Sequence, residues 1–244
     1  MAMPALVLVH GGAHAGDCWD LTVDEIRRLT PDLGVLAVDL PGRRGKPGDL
    51  RTLTVGECVD SVVADIEDAG FDDVVIVAHS MGGLTVPGVV TKLGGQRVRE
   101  MILATAFVPP EGNAVVDTLT GPLAWFARRG AKNGKPGELN TIVAGLVFLN
   151  GLPRARRRWM LERLCEETPH MPVERVSRDG MPDVPRTWIL TTRDRSLSIR
   201  SQRRSIEAIG GVQTIIEMDT CHDLMVSEPA RLAEILVERC RRYQ

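Results

Sequence analysis

Ser80 stands in Ala78-His79-Ser80-Met81-Gly82-Gly83, directly after the apolar run Val74–Ala78. A serine in a sharp turn from a strand into a helix is held with its hydroxyl exposed and its backbone strained. Such a turn demands small residues two before and two after the serine, where side chains would collide. Gly82 meets the second requirement, and Ala78 meets the first with one methyl group more than the glycine of G-x-S-x-G. The chemistry expected of such a serine is attack on a carbonyl carbon. A hydroxyl needs a base beside it for that.

Histidine is the side chain suited to accept a proton near neutral pH. The chain has five, His10, His14, His79, His170 and His222. His79 adjoins the serine, where neighbouring side chains diverge. His170 is flanked by Pro169 and Pro172 in a stretch without strands, and His10 and His14 read as loop-packing residues. His222 follows the apolar run Thr214–Met218 in Met218-Asp219-Thr220-Cys221-His222-Asp223. The C-terminal ends of parallel strands converge on one sheet edge, where ligands bind, so His222 and Ser80 are expected to share that edge. Asp194 follows the run Thr187–Thr191 and is expected there too, holding the imidazole in the correct tautomer. The competing reading makes Asp194 a surface partner of Arg193 or Arg195. Asp219 and Asp223 are too close in sequence to His222 to reach its far ring nitrogen easily. Asp223 is expected to put a negative charge near the base and favour its protonated form. Asp39, in Val38-Asp39-Leu40, reads as a turn organiser.

Acyl transfer builds negative charge on a carbonyl oxygen, and fixed backbone N–H groups aimed at it are usually the largest electrostatic aid. One donor is expected after the nucleophile, at Met81. The second is expected in the loop after the first strand, in His10-Gly11-Gly12-Ala13-His14, with Gly12 the first choice and Ala13 the next. Gly11 and Ala13 are expected against the substrate, because glycine lets backbone come close.

The elements that must position these groups are legible as alternation. The runs Ala5–Val9, Gly34–Val38, Val74–Ala78, Met101–Ala106, Thr187–Thr191 and Thr214–Met218 are mostly continuous and rich in Val, Ile and Leu, as strands buried on both faces are. Thr54–Ala69 carries Val55, Val59, Val62, Val63 and Ile66 at helical spacing, with Thr54 as cap and Gly70 as stop. Pro229–Arg242 predicts a final helix capped by Ser227. Strand–helix alternation implies an open, mostly parallel α/β sheet with helices on both faces. The rhythm breaks between Pro109 and Pro185, where helices are predicted over Val115–Arg129, Leu139–Leu149 and Arg154–Glu167. Residues 109–185 are therefore expected to form a helical cap inserted into a core made of 1–108 and 186–244. Within the cap Trp125, Phe126, Phe148 and Trp159 are the expected apolar lining of a substrate pocket. The run Arg154–Arg158 reads as a solvated helix face.

Composition narrows the partners. Acidic and basic residues number 32 and 30, a balance that argues against nucleic acid or an anionic membrane. The opening MAMPALVLVH lacks a basic segment and runs straight into an apolar stretch too short to span a bilayer, so it reads as a strand. Five scattered cysteines without CxxC spacing predict reduced thiols in a cytoplasmic protein, with no disulfide framework, metal site or organic cofactor. The expected partner is a small, apolar ester-like molecule; a homodimer stays open.

Taken together, the residues resemble the α/β-hydrolase superfamily, and more narrowly the plant methyl-esterase and hydroxynitrile-lyase group with its bacterial relatives. The resemblance rests on Leu8-Val9-His10-Gly11-Gly12-Ala13-His14-Ala15-Gly16 with Trp19, Val38-Asp39-Leu40, His79-Ser80-Met81-Gly82-Gly83, Ala106-Phe107-Val108-Pro109, Arg193-Asp194, and His222 followed by Ser227-Glu228-Pro229. The chain order Ser80, Asp194, His222 is the nucleophile, acid, base order of that fold. The resemblance implies a sheet without the N-terminal hairpin of larger members and a cap inserted after the strand ending near Phe107. The lyase members have threonine after the first-strand histidine and lysine after the catalytic histidine; this chain has Gly11 and Asp223 there. Without that lysine no cation holds departing cyanide, so the expectation is hydrolysis of a small carboxylic ester or thioester. The alternatives are a lyase, cyclising or rearranging enzyme on the same scaffold, and a non-catalytic small-molecule binder.

Overall fold

A computed structural model describes residues 3–119 and 128–244. Strands β1 (Ala5–Val9), β2 (Val35–Val38), β3 (Val74–His79), β4 (Val98–Ala104), β5 (Arg186–Thr191) and β6 (Thr214–Met218) form one sheet in the order β2-β1-β3-β4-β5-β6. Every pairing is parallel. Successive residues of a strand face opposite sides, and both sides here are apolar cores. Val74, Ile76 and Ala78 join the helices Val55–Asp68 and Gly82–Leu93 through Val59, Val62, Ile66, Val86 and Val90. Val75 and Val77 join the helices Asp20–Leu29 and Pro229–Arg241 through Ile26, Leu232 and Leu236. Burial on both faces is why the strands read as unbroken apolar runs.

Val9 is level with Ala78, and Ala78 with Leu103, so the chain leaves β1, β3 and β4 side by side at one edge. Thr191 is level with Met218, which brings the loops after β5 and β6 to that edge as well.

Several boundaries differ from the sequence reading, each for a local reason. Strand β4 starts at Val98 rather than Met101, because the buried Glu100, paired with Arg239 at 2.7 Å, interrupts the apolar pattern. It ends at Ala104 because Thr105 takes a φ of +40°. The helix Arg154–Leu161 stops short of Glu167, since Cys165 and Glu167 turn their backbones to Ala13 and Gly137 instead. Ser227 does not cap the last helix; its hydroxyl is bonded to Thr220 and a short turn, Leu224–Ser227, precedes Glu228. The helix predicted over Val115–Arg129 is seen as Val115–Thr118 and as 128–133, with its middle outside the described residues.

Residues 109–185 connect β4 to β5 and give no strand to the sheet among the described residues. They are packed onto it: Val115, Met171, Val176 and Val184 enter one core, and Leu149, Leu152 and Met160 the other. Among the described residues no helix is long and apolar enough to cross a membrane.

Candidate active site

The turn after β3 carries Ser80 at a φ of +51°, a conformation that costs a non-glycine residue about 1–3 kcal/mol and persists only when its surroundings impose it. The surroundings are visible. Ser80 N–H donates to Ala104 O at 3.3 Å, and its carbonyl accepts from Phe107 N–H at 2.8 Å and Gly83 N–H at 3.1 Å. Close packing explains the small residues: a Cβ on Gly11 would lie 2.6 Å from Ser80 Cβ, and one on Gly83 would lie 2.5 Å from the Phe107 carbonyl oxygen. Ala78 keeps its methyl group without disturbing β3.

His222 Nε2 is 2.9 Å from Ser80 Oγ, and His222 Nδ1 is 2.7 Å from Asp194 Oδ2. A carboxylate facing Nδ1 can only accept, so Nδ1 carries the proton and Nε2 is free to take one from the serine. Asp194 Oδ2 also accepts from Thr105 Oγ1 at 2.6 Å and Thr191 Oγ1 at 3.0 Å, and Oδ1 accepts from Ser196 and Leu197 N–H, each at 2.7 Å. Burial pushes the Asp194 carboxyl up, but its electrostatic and hydrogen-bond interactions with His222 and the bonds from Thr105 and the Leu197 N–H outweigh it and hold it down to about 2. The arginines beside it are committed elsewhere, Arg193 to Asp219 and Arg195 to the Leu146 carbonyl. The sequence reading did not single out Thr105 or Thr191; Thr105 betrays itself only through its left-handed backbone.

His79 and His10 hold loops. His79 Nε2 donates to the His222 carbonyl at 3.1 Å, and His10 Nδ1 donates to the Gly11 carbonyl at 2.8 Å while its Nε2 accepts from Leu40 N–H. Burial lowers both to about 3, so both are neutral. His14 is different. Its Nδ1 is 2.6 Å from the Gly12 carbonyl and its Nε2 is 3.1 Å from Asp223 Oδ2. Both partners are acceptors, so both nitrogens donate and the ring is an imidazolium. Burial opposes that charge, yet Asp223 raises the His14 pKa, and His14 in turn draws Asp223 below the usual carboxylate range against its own burial. The Asp223 carboxylate is thus the direct hydrogen-bond partner of His14.

The loop Gly11–Ala13 runs beside Ser80 with Ala13 at a φ of +58°. Ala13 N–H is taken up by Glu167 Oε2 at 2.7 Å. No acceptor among the described residues engages the N–H groups of Gly12 or Met81. Of the two candidate donors on this loop, Gly12 is thus the one left available.

Ser80, Met81, Gly12 and Ala13 lie at a cavity of about 540 Å³ whose walls are mostly apolar, with Phe107, Leu119, Val143, Val147 and Phe148 among them. The Phe148 ring sits 5.1 Å from the His222 ring. Trp159 is not part of this lining: it packs half-buried against the core below, with the Arg163 guanidinium 3.9 Å above its ring. Gly11 is buried behind the serine rather than in the cavity wall. Trp125 and Phe126 lie outside the described residues. The arginine run 154–158 is mainly solvent-facing.

Metal-ligating atoms of His79, His222 and Asp223 fall within 4.8 Å of one another. Each of these three side chains already holds a protein partner.

A model of the alpha/beta hydrolase family matches residues 6–235. The chain is 27% identical over 258 residues to the carbendazim hydrolyzing esterase of Nocardioides sp. (strain SG-4G), covering 96% of this chain and 98% of that one. It is 24% identical over 259 residues to methylesterase 9 of Arabidopsis thaliana, covering 99% and 100%. Among solved structures, an extracellular alpha/beta-hydrolase from a Paenibacillus species superposes with a TM-score of 0.82 at 21% identity, over 97% and 98% of the two chains. A pyrethroid hydrolase from Sphingobium faniae superposes with a TM-score of 0.77 at 21% identity, over 98% of each. With the sheet order, the turn at Ser80 and a family match that spans almost its whole length, the chain belongs to the alpha/beta hydrolase family.

Proposed function

We propose that the chain is a serine hydrolase that cleaves a small, largely apolar carboxylic ester or thioester through an acyl-enzyme. The observation that carries this reading is the connected line Ser80 Oγ, His222 imidazole, Asp194 carboxylate, at 2.9 and 2.7 Å, opening on an apolar cavity. Ser80 Oγ attacks the carbonyl carbon while His222 Nε2 takes its proton; Asp194 stabilises the imidazolium that results. The Gly12 and Met81 N–H groups hold the developing oxyanion, a service worth about 10²–10³ in kcat per donor. His222 returns the proton to the departing alcohol or thiol. A water then attacks the acyl group, giving up its proton to His222, and the acid leaves as Ser80 recovers its hydrogen.

The relatives named as an esterase and a methylesterase support ester chemistry. The loop after His222 supports hydrolysis over cyanohydrin cleavage: the position of the lyases' lysine is Asp223, and its carboxylate faces His14. A cytoplasmic, metal-free enzyme acting on a small molecule is the setting proposed. An aryl acetate assay together with a serine-directed fluorophosphonate tests the reading. Wild-type protein is expected to turn over the ester and take one label; Ser80→Ala is expected to do neither while keeping its fold.

A further inference from the structure

The loop beside Ser80 is gripped in an unusual way. The peptide unit joining Gly12 to Ala13 has its carbonyl bonded by the imidazolium of His14 at 2.6 Å and its N–H bonded by the Glu167 carboxylate at 2.7 Å. Each grip is itself charge-paired: His14 with Asp223 at 3.1 Å, and Glu167 with Arg43 at 2.7 Å. Arg43, 2% exposed, also donates through Nε to the His14 carbonyl at 3.2 Å, which closes the arrangement around the loop. One unit before, the carbonyl of Gly11 is held by His10, and the N–H on that same peptide is Gly12's. A trans peptide points its N–H opposite to its carbonyl. Fixing both carbonyls therefore leaves the Gly12 N–H with one direction.

We propose that Asp223–His14 and Arg43–Glu167 form a charge clamp on the Gly12–Ala13 peptide, and that this clamp aims the oxyanion donor of Gly12. Glu167 and His14 are thus positioning residues. The clamp couples three distant parts of the chain on this loop: Asp223 follows the general base, Glu167 belongs to the 109–185 segment, and Arg43 follows β2. It also accounts for Ala13, an alanine at a φ of +58° whose N–H and carbonyl are both taken by the cap, through Glu167 and the Cys165 N–H. Charge-assisted hydrogen bonds are roughly twice as strong as neutral ones, and a buried pair strongly resists the loss of one member.

This inference rests on the hydrolase reading, and the experiment separates the two. Aryl acetate turnover and the affinity for an aryl trifluoromethyl ketone are measured in wild type, Glu167→Gln, Glu167→Ala and Asp223→Asn; the ketone adds to serine as a tetrahedral oxyanion. The expected result is a fall in kcat of about ten- to hundred-fold for Glu167→Ala, a fraction of what outright loss of a donor costs, with KM within about three-fold. Ketone affinity should fall in parallel with kcat. Glu167→Gln keeps one acceptor oxygen for the three donors of Ala13 N–H, Arg43 Nη2 and Thr168 N–H, and should lie between. Asp223→Asn supplies the same readout from the opposite jaw should Glu167→Ala fail to fold. Folded variants with wild-type kcat and ketone affinity, or losses confined to KM, would overturn the clamp while leaving the hydrolase reading intact. Wild-type protein without ester turnover would overturn that reading, and the clamp with it.

Discussion

Asp194 is saturated as an acceptor: His222, Thr105 and Thr191 share one oxygen, and Ser196 and Leu197 share the other. A side chain held this way fixes the tautomer of His222 as firmly as it fixes its position. Asparagine at 194 could present an amide to Nδ1 and force the proton onto Nε2, where it cannot accept from serine. Asp194→Asn is therefore expected to lower kcat by about 10⁴ with the fold retained. A kinetic assay on folded protein checks this, and a loss below ten-fold would mean that Asp194 is dispensable to the base. Of the residues around the site, Ser80, Asp194 and His222 were legible because each follows an apolar run in the order of the family. Glu167, Arg43, Thr105 and the His14–Asp223 pair were not. Their partners lie up to 209 residues away in sequence, and nothing local distinguishes them from surface charges or turn residues.

At the level of elements, the packing of the helix Gly82–Leu93 against the strand edge decides the serine's geometry. Replacing Gly83 by alanine improves helix propensity by up to about 1 kcal/mol. It also sets a Cβ 2.5 Å from the backbone oxygen of Phe107, whose N–H holds the Ser80 carbonyl. Overpacking against backbone costs roughly 1–3 kcal/mol, so the clash prevails. Gly83→Ala is expected to lower both the unfolding free energy and the esterase rate, which denaturant titration and the aryl acetate assay would register; a stabilised, fully active variant would contradict it. The same contrast explains what could be read ahead of the structure. Periodicity located the sheet and the helix Val55–Asp68, with its cap at Thr54 and its turn at Gly70, because those signals are local. The cap was harder. Its helix from Arg154 ends early because Cys165 and Glu167 find partners in a loop far away in sequence, a choice that helical spacing does not encode.

Across the whole molecule, buried titratable groups set the pH range of stability. Burial first, and neighbouring charges second, hold His10 and His79 down to about 3 in the fold, whereas in an unfolded chain they titrate near 6.5. Between those values the unfolded chain binds more protons, so stability is lost as pH falls from about 6.5 toward 3, at up to about 1.4 kcal/mol per pH unit for each histidine. Asp194, drawn down to about 2, adds to the loss below about 4. His14 acts in the other direction: its raised pKa gives stability that is fully present below about 6.5 and lost as pH rises through its folded value. Denaturant midpoints are expected to peak near neutrality and drop by pH 5, and an unchanged midpoint between pH 7 and 5 would contradict the neutral burial of His10 and His79.

In the proposed mechanism Ser80 is a nucleophile made reactive by His222 and Asp194. Peptide-resolved mass spectrometry after reaction with an aryl fluorophosphonate tests it most directly. One adduct is expected, on the peptide containing Ser80, forming in step with loss of ester turnover, slowed in Asp194→Asn and absent from Ser80→Ala. Label on another residue, or full ester turnover by Ser80→Ala, would contradict it.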